Sequence, residues 1–223
     1  MIGFCMVLVT GIDGCKSGWV AVTLASSGVS VAVATTLAAL PLGGVTGIDM
    51  PLGLLADGWR TADLLARRAL GARGSCVFAI PPRPVWAQPS YAEANKRCRE
   101  LTGRGLSVQA WGLRAKLMEA DGFRRGSAQP MHEVHPELSF AALAGAPLAD
   151  TKHSPAGRAR RRALLLEAGI AVPASVPGAA EDDLLDAAAV AWSARQIAAG
   201  TARVLPDPPA QRGDDGYPIA IRF

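Results

Sequence analysis

The segment Val9-Thr10-Gly11-Ile12-Asp13-Gly14-Cys15-Lys16-Ser17-Gly18-Trp19-Val20-Ala21-Val22 constrains this chain more than any other. It reads as an apolar strand that ends on a carboxylate, Asp13, at a glycine-rich turn, with a second strand directly after it. Burying an uncompensated charge is costly, so an acid at the end of a buried strand calls for a partner such as a metal ion or a phosphate-handling group. An Asp-Gly pair is also an ordinary hairpin turn, and taken alone that reading is the stronger one. Three further acidic segments change the balance. Val45-Thr46-Gly47-Ile48-Asp49-Met50-Pro51 repeats the pattern of an apolar run closed by Asp, with a proline that stops strand pairing. Met131-His132-Glu133-Val134-His135-Pro136-Glu137 would carry Glu133, His135 and Glu137 on one face if extended. Glu181-Asp182-Asp183-Leu184-Leu185-Asp186 opens a helix in which Asp183 and Asp186 share a face. Those helix acids alone are explained by capping and by the helix dipole. Acids closing several strands plus a helical pair form a set that folding by itself does not require.

The remaining pattern predicts an α/β chain. Residues 6–13, 18–25 and 29–35 read as a three-stranded antiparallel meander, Leu37–Leu42 as a short helical crossover, and 45–49 as a fourth strand whose end would lie beside Asp13. Helices are predicted over Arg60–Leu70, with Gly71 as C-cap, over Tyr91–Leu101 and over Ser107–Ala120, with Ser75–Pro89 an irregular loop. These elements, about 55–130, read as a helical insertion in a single domain spanning 1–223. A fifth strand at 131–135, helices from Pro136 to Ala144, Pro155 to Gly169 and 181–199, and a tail with a short strand at 218–222 complete the prediction.

At 223 residues, half of them apolar and 19% charged, the chain is long enough for a real core. The formal charge of +4 is compatible with an anionic partner without requiring one. Cys5, Cys15, Cys76 and Cys98 lack paired spacing and read as thiols in a reducing compartment. Met1–Thr10 lacks the basic region and cleavage site of a signal peptide, and no apolar run reaches about 20 residues. A cytoplasmic protein without membrane contact is expected.

Two tempting motifs fail. Gly11–Ser17 lacks the glycine before lysine and the spacing of a phosphate-binding loop. His132 and His135 stand three apart, so on a strand their imidazoles would point to opposite faces, which argues against zinc.

Together, Gly11–Trp19, Ile48–Leu54, Glu133–Phe140 and Asp182–Ala187 resemble domain-of-unknown-function family 429, whose members are predicted nucleases of ribonuclease-H-like fold. Arg73–Phe78 and Ser107–Ala110 also look like segments of that family. The resemblance implies a mixed sheet of three antiparallel strands followed by parallel ones, flanked by helices. More distantly, Asp183–Ala187 resembles the last-helix motif of Holliday-junction resolvases. By position, that resemblance implies Asp13, Asp49, Asp183 and Asp186 as ligands of Mg²⁺ or Mn²⁺, although those resolvases tend to have Glu on the fourth strand. The implied activity is metal-dependent phosphodiester hydrolysis of DNA or RNA, with Asp13, Asp49, Glu133, Asp183 and Asp186 as the catalytic set. Glu133 or His135 would move protons or complete the metal shell, and Lys16 would hold a phosphate unless it is a solvated turn residue. Arg158 to Arg162, with Lys152, Arg97, Arg99 and Arg104, would neutralise a nucleic-acid backbone or form a solvated helix face. Five Trp, two Tyr and five Phe give no evident platform for stacking bases. The resolvase resemblance also brings a homodimer into consideration. A non-catalytic module of the same fold is the main rival, and a phosphotransferase of the actin-like and sugar-kinase superfamily a weaker one, since that fold normally needs a second glycine-rich hairpin domain.

Overall fold

A computed structural model describes residues 8–223. The start of the first predicted strand at residues 6 and 7, most of the segment read for a signal peptide, and Cys5 lie outside the described residues. The chain forms two compact units. Among the described residues one comprises 8–50 with Phe123–Arg203 and Arg222–Phe223, the other Pro51–Gly122 with Val204–Ile221.

The first unit holds the predicted meander as β1 (Val9–Cys15), β2 (Gly18–Ala25) and β3 (Gly28–Ala34). They pair antiparallel, Val9 opposite Leu24 and Leu24 opposite Val29. The chain then crosses over through a single 3-10 turn at Leu37–Ala39. β4 (Val45–Ile48) pairs parallel with β1, and β5 (Met131–Glu133) parallel with β4, giving a five-stranded mixed sheet in the order β3-β2-β1-β4-β5. This is the ribonuclease-H-like α/β arrangement expected from the sequence.

The register between β1 and β4 carries a finer feature. Both strands spell Val-Thr-Gly-Ile and are followed or continued by Asp, and they align Val9 with Val45, Thr10 with Thr46, Gly11 with Gly47 and Ile12 with Ile48. The Asp49 N–H donates to the Ile12 carbonyl at 2.8 Å, extending the ladder by one bond. The period of two along a strand puts Val9, Gly11 and Asp13 on one face, with Gly47 and Asp49 beside them.

That face receives the last helix. Three helices belong to this unit: α6 (Pro136–Ala144), α7 (Pro155–Glu167) and α8 (Glu181–Ala199). α8 packs directly against β1, β2 and β4, and α6 and α7 pack against α8. The closeness depends on glycine. A Cβ at Gly11 would lie 2.0 Å from the Ala191 backbone nitrogen and 2.3 Å from the Ala187 carbonyl oxygen, and one at Gly47 would lie 2.9 Å from a Val190 methyl. Around this contact Val20, Val22, Leu24, Phe140, Leu164, Leu165, Leu184 and Leu185 fill the core with Ala187, Ala188 and Ala191. Ser139 on α6 and Ser193 on α8 are buried and satisfy each other at 2.8 Å.

The second unit contains α1 (Thr61–Leu70), α2 (Arg83–Trp86), α3 (Tyr91–Thr102), α4 (Val108–Gly112) and the first part of α5 (Arg114–Gly126). Three predictions are corrected here. The loop expected over Ser75–Pro89 contains α2, because Pro84 presets the first helical turn and Trp86 Nε1 ties back to the Pro81 carbonyl at 2.9 Å. The helix expected over Ser107–Ala120 is two, broken around Leu113 after Gly112, and Arg114 Nε binds the Trp86 carbonyl at 2.8 Å. The tail strand expected at 218–222 is also interrupted, as Pro218–Ile219 and Ile221–Arg222 flank Ala220. Pro218–Ile219 pairs with Gln211–Arg212.

Gly11→Ala should cost about 3 kcal/mol, the upper end for overpacking a close-packed core, because the atoms it meets are helix backbone and cannot rotate away. Gly122→Ala, on an exposed interior position of α5 with open space around it, should stabilise by up to about 1 kcal/mol. Urea unfolding of the two variants beside the parent chain checks both signs.

Candidate metal centre

Asp13 and Asp49 stand at the ends of two adjacent parallel strands, on the face that meets α8. Asp186 lies in the second turn of α8, five residues before the Ala191 backbone that touches Gly11. The three side chains each bring a carboxylate oxygen into one group whose members all lie within 4.8 Å of one another. Asp13 and Asp186 are 7% and 2% exposed, whereas Asp49 is half-buried, so the group opens on the Asp49 side.

The local partners differ. Asp13 Oδ1 accepts from the Gly14 N–H at 2.6 Å; both residues lie within β1, which runs on to Cys15, so the turn expected at Asp13-Gly14 falls instead at Lys16-Ser17. Asp186 Oδ2 accepts from Lys152 Nζ at 2.6 Å, while Asp186 Oδ1 is buried without a hydrogen-bond partner. Lys152 comes from the loop before α7, which Ser154 holds by capping the Gly157 N–H at 3.0 Å.

Burial and mutual repulsion push all three carboxyl groups upward. Asp13 is raised well above its ordinary value by loss of water and by the charges of Asp49 and Asp186. Asp49 is raised to about 7, chiefly by burial and with Glu137 adding to it, against the pull of Lys152. Asp186 is raised to about 6, again first by burial, with Lys152 opposing and Asp49 and Glu137 reinforcing. Burial disfavours the Lys152 ammonium too, but the surrounding carboxylates outweigh that and hold its proton above the usual lysine range. One ammonium thus faces three carboxylates, a strongly anionic spot in low dielectric.

Hard oxygen donors in such a spot fit Mg²⁺ or Mn²⁺. The buried, unsatisfied Asp186 Oδ1 is the specific observation in favour, since a coordinating ion would satisfy it.

The other sequence-predicted residues take different places. Asp183 sits one turn earlier on α8, where Oδ2 accepts from the Ala180 N–H at 3.3 Å and caps the helix. It lies outside the three-carboxylate group, although its charge reaches Asp13. Glu133 pairs in register with Ile48, so it stands on the sheet face opposite to that of Gly47 and Asp49. The extended run that would have aligned Glu133, His135 and Glu137 does not form. β5 ends at Glu133, and Pro136 starts α6 with His135 at its N-cap. Lys16 is exposed in the turn between β1 and β2. Arg158 donates to the His153 carbonyl at 2.7 Å and pairs with Glu181 at 3.1 Å. Among the described residues no disulfide forms, in keeping with the thiol reading of Cys15, Cys76 and Cys98.

Two contributors escaped the sequence reading. Gly11 and Gly47 set the distance from α8 to the sheet, and the signal was present in the pentapeptide Val-Thr-Gly-Ile-Asp, which occurs twice. Glu137 is buried and paired with the wholly buried Arg161 at 2.7 Å. Arg161 also donates to the carbonyls of Asp150 and Gly157, and its guanidinium lies 5.3 Å from the Phe140 ring centre. Nothing in a basic helix segment distinguishes that arginine from its solvated neighbours.

Residues 11–211 match the family described as protein of unknown function (DUF429), and the chain belongs to that family. No curated protein and no solved structure matches it. Among the described residues no helix is long and apolar enough to cross a membrane.

Because Asp13, Asp49 and Asp186 are all raised on folding, the folded chain binds more protons than the unfolded one between about pH 4 and 7. Their contribution to stability is full below the ordinary value of 3.8 and is lost as pH rises through about 6 and 7. Metal-free protein should therefore lose thermal stability over that range. Added Mn²⁺ should raise Tm more at pH 8 than at pH 5, because ligation needs the deprotonated carboxylates. Thermal melts across pH, with and without the ion, test both statements.

Proposed function

We propose that this chain is a metal-dependent hydrolase of phosphodiester bonds acting on nucleic acid, with Asp13, Asp49 and Asp186 as the ligands of one or two Mg²⁺ or Mn²⁺ ions. The observation that carries the reading is the convergence of these three carboxylates from β1, β4 and α8 within 4.8 Å. When bound, divalent cations of this kind polarise a phosphoryl oxygen, lower the pKa of bound water and stabilise the leaving oxygen.

The chain's own residues supply the rest. Asp186 is held by the Lys152 ammonium and Asp13 by the Gly14 N–H, which restricts how far either carboxylate can turn. Lys152 keeps its proton at any physiological pH, which makes it a positive contact for a phosphate oxygen and rules it out as a general base. Asp49, raised to about 7 and partly open to solvent, is the carboxyl best suited to exchange a proton near neutrality before a cation binds. Lys16, exposed two residues past Gly14, is available to a phosphate further along a strand. The substrates below read out the DNA-or-RNA choice, and sedimentation of the chain reads out a homodimer.

Labelled single-stranded, duplex and branched DNA and RNA incubated with Mg²⁺ or Mn²⁺ provide the test. Cleavage should require the cation and fall at least about 100-fold in Asp13→Asn, the loss expected when several kcal/mol of metal stabilisation are removed. Equal cleavage by both proteins would overturn the reading, as would no cleavage by either when calorimetry shows the cation bound.

A further inference from the structure

The second unit contains a pocket unrelated to the carboxylate centre. It has a volume of about 200 Å³ and is lined by Trp59, Leu64, Phe78, Arg67, Arg104 and Ser107, among others. No carboxylate lines it. Arg67 donates through Nε to the Gly74 carbonyl at 3.3 Å, and neither Arg67 nor Arg104 has an ion pair among the described residues. Both arginines are exposed at the rim. Two cationic forks without counter-charge thus stand with two aromatic rings around one pocket, which offers an anion and a π-surface contacts side by side.

The walls are built to stay in place. Arg60, next to Trp59, is buried and pairs with Asp63 at 3.3 Å, and Asp63 in turn accepts from the Ile80 N–H at 2.9 Å, two residues past Phe78. Gln211 bridges the Trp59 carbonyl and the Thr61 N–H at 3.1 and 2.6 Å. The Arg104–Ser107 loop is fastened by Asn95 Oδ1 to the Leu106 N–H and by the Tyr91 hydroxyl to the Leu106 carbonyl, each at 2.9 Å. Polar groups with unused capacity complete the lining. Trp59 Nε1 is buried with no acceptor, and Ser107 Oγ accepts from the Ala110 N–H at 3.1 Å while keeping its own proton to donate.

We propose that this pocket binds a nucleoside 5′-monophosphate unit, its base against Trp59 and Phe78 and its phosphate at Arg67 and Arg104. A flat π-surface attached to a dianion is the chemistry that uses both halves of the lining, through stacking and bidentate guanidinium contacts. The volume falls below the roughly 300–1,000 Å³ of pockets that enclose drug-sized ligands, which suits one base with its phosphate left at the open rim. The sequence showed no platform for stacking because Trp59 and Phe78 come from separate segments that only the fold of this unit brings together.

Isothermal titration of the full chain with AMP in EDTA isolates this pocket from the carboxylate centre, so its outcome is independent of whether that centre cleaves anything. AMP should bind saturably, and adenosine and inorganic phosphate should each bind at least about fivefold more weakly. Arg104→Gln, at an exposed loop position, and Phe78→Leu should each weaken AMP about fivefold to tenfold, as expected for losing a charged hydrogen bond or a stacked ring, with unchanged melting curves. Asp13→Asn should bind AMP as the parent does. Absence of AMP binding at millimolar concentration, phosphate binding as tight as AMP, or full AMP affinity in both pocket variants would overturn the proposal.

Discussion

The first unit depends on how closely α8 lies against β1. Helices usually rest on a sheet through a layer of side chains, yet here the Ala187 and Ala191 backbone meets the strand where Gly11 has nothing to interpose. Gly47 repeats the arrangement on β4, against Val190. With the separation this small, an aspartate of ordinary reach on α8 meets two aspartates of ordinary reach on the strands. A bulkier residue at either glycine would lift the helix and part the carboxylates, so the same close contact both closes the core and assembles the site.

The electrostatic consequence is a local conflict with folding. Three buried or half-buried carboxyls repel one another and lose water, and one lysine offsets only part of that. Around them the structure contains compensated charge: Arg161 is wholly buried but meets Glu137 and two carbonyls, and Arg162 and Arg158 both meet Glu181. The contrast is informative. The buried Arg161 and Glu137 neutralise each other, whereas the Asp13–Asp49–Asp186 group is left with excess negative charge and an unsatisfied oxygen, which a bound cation would relieve.

The second unit shows a parallel contrast with opposite sign. Arg60 and Arg83 are neutralised by Asp63, and by Asp121 with Asp214, and they tie segments together. Arg67 and Arg104 are not, and they flank aromatic rings.

By itself the sequence determined the strand order, because period-two runs separated by short turns and a short crossover leave few ways to arrange β1 to β4. It also led to Asp13 and Asp49 as neighbours, since a short crossover returns the fourth strand beside the first. Only the tertiary structure decided which other acids join them. Asp183 and Asp186 share a helical face, but one is spent on the helix N-terminus and the other points to the strand ends. Glu133 belongs to the right strand, yet a register that pairs it with Ile48 turns it to the other face. Lys152 and Glu137 looked like a loop cation and a strand acid, and their roles come from contacts across long sequence separations. Such contacts depend on distances between elements, which local pattern does not encode.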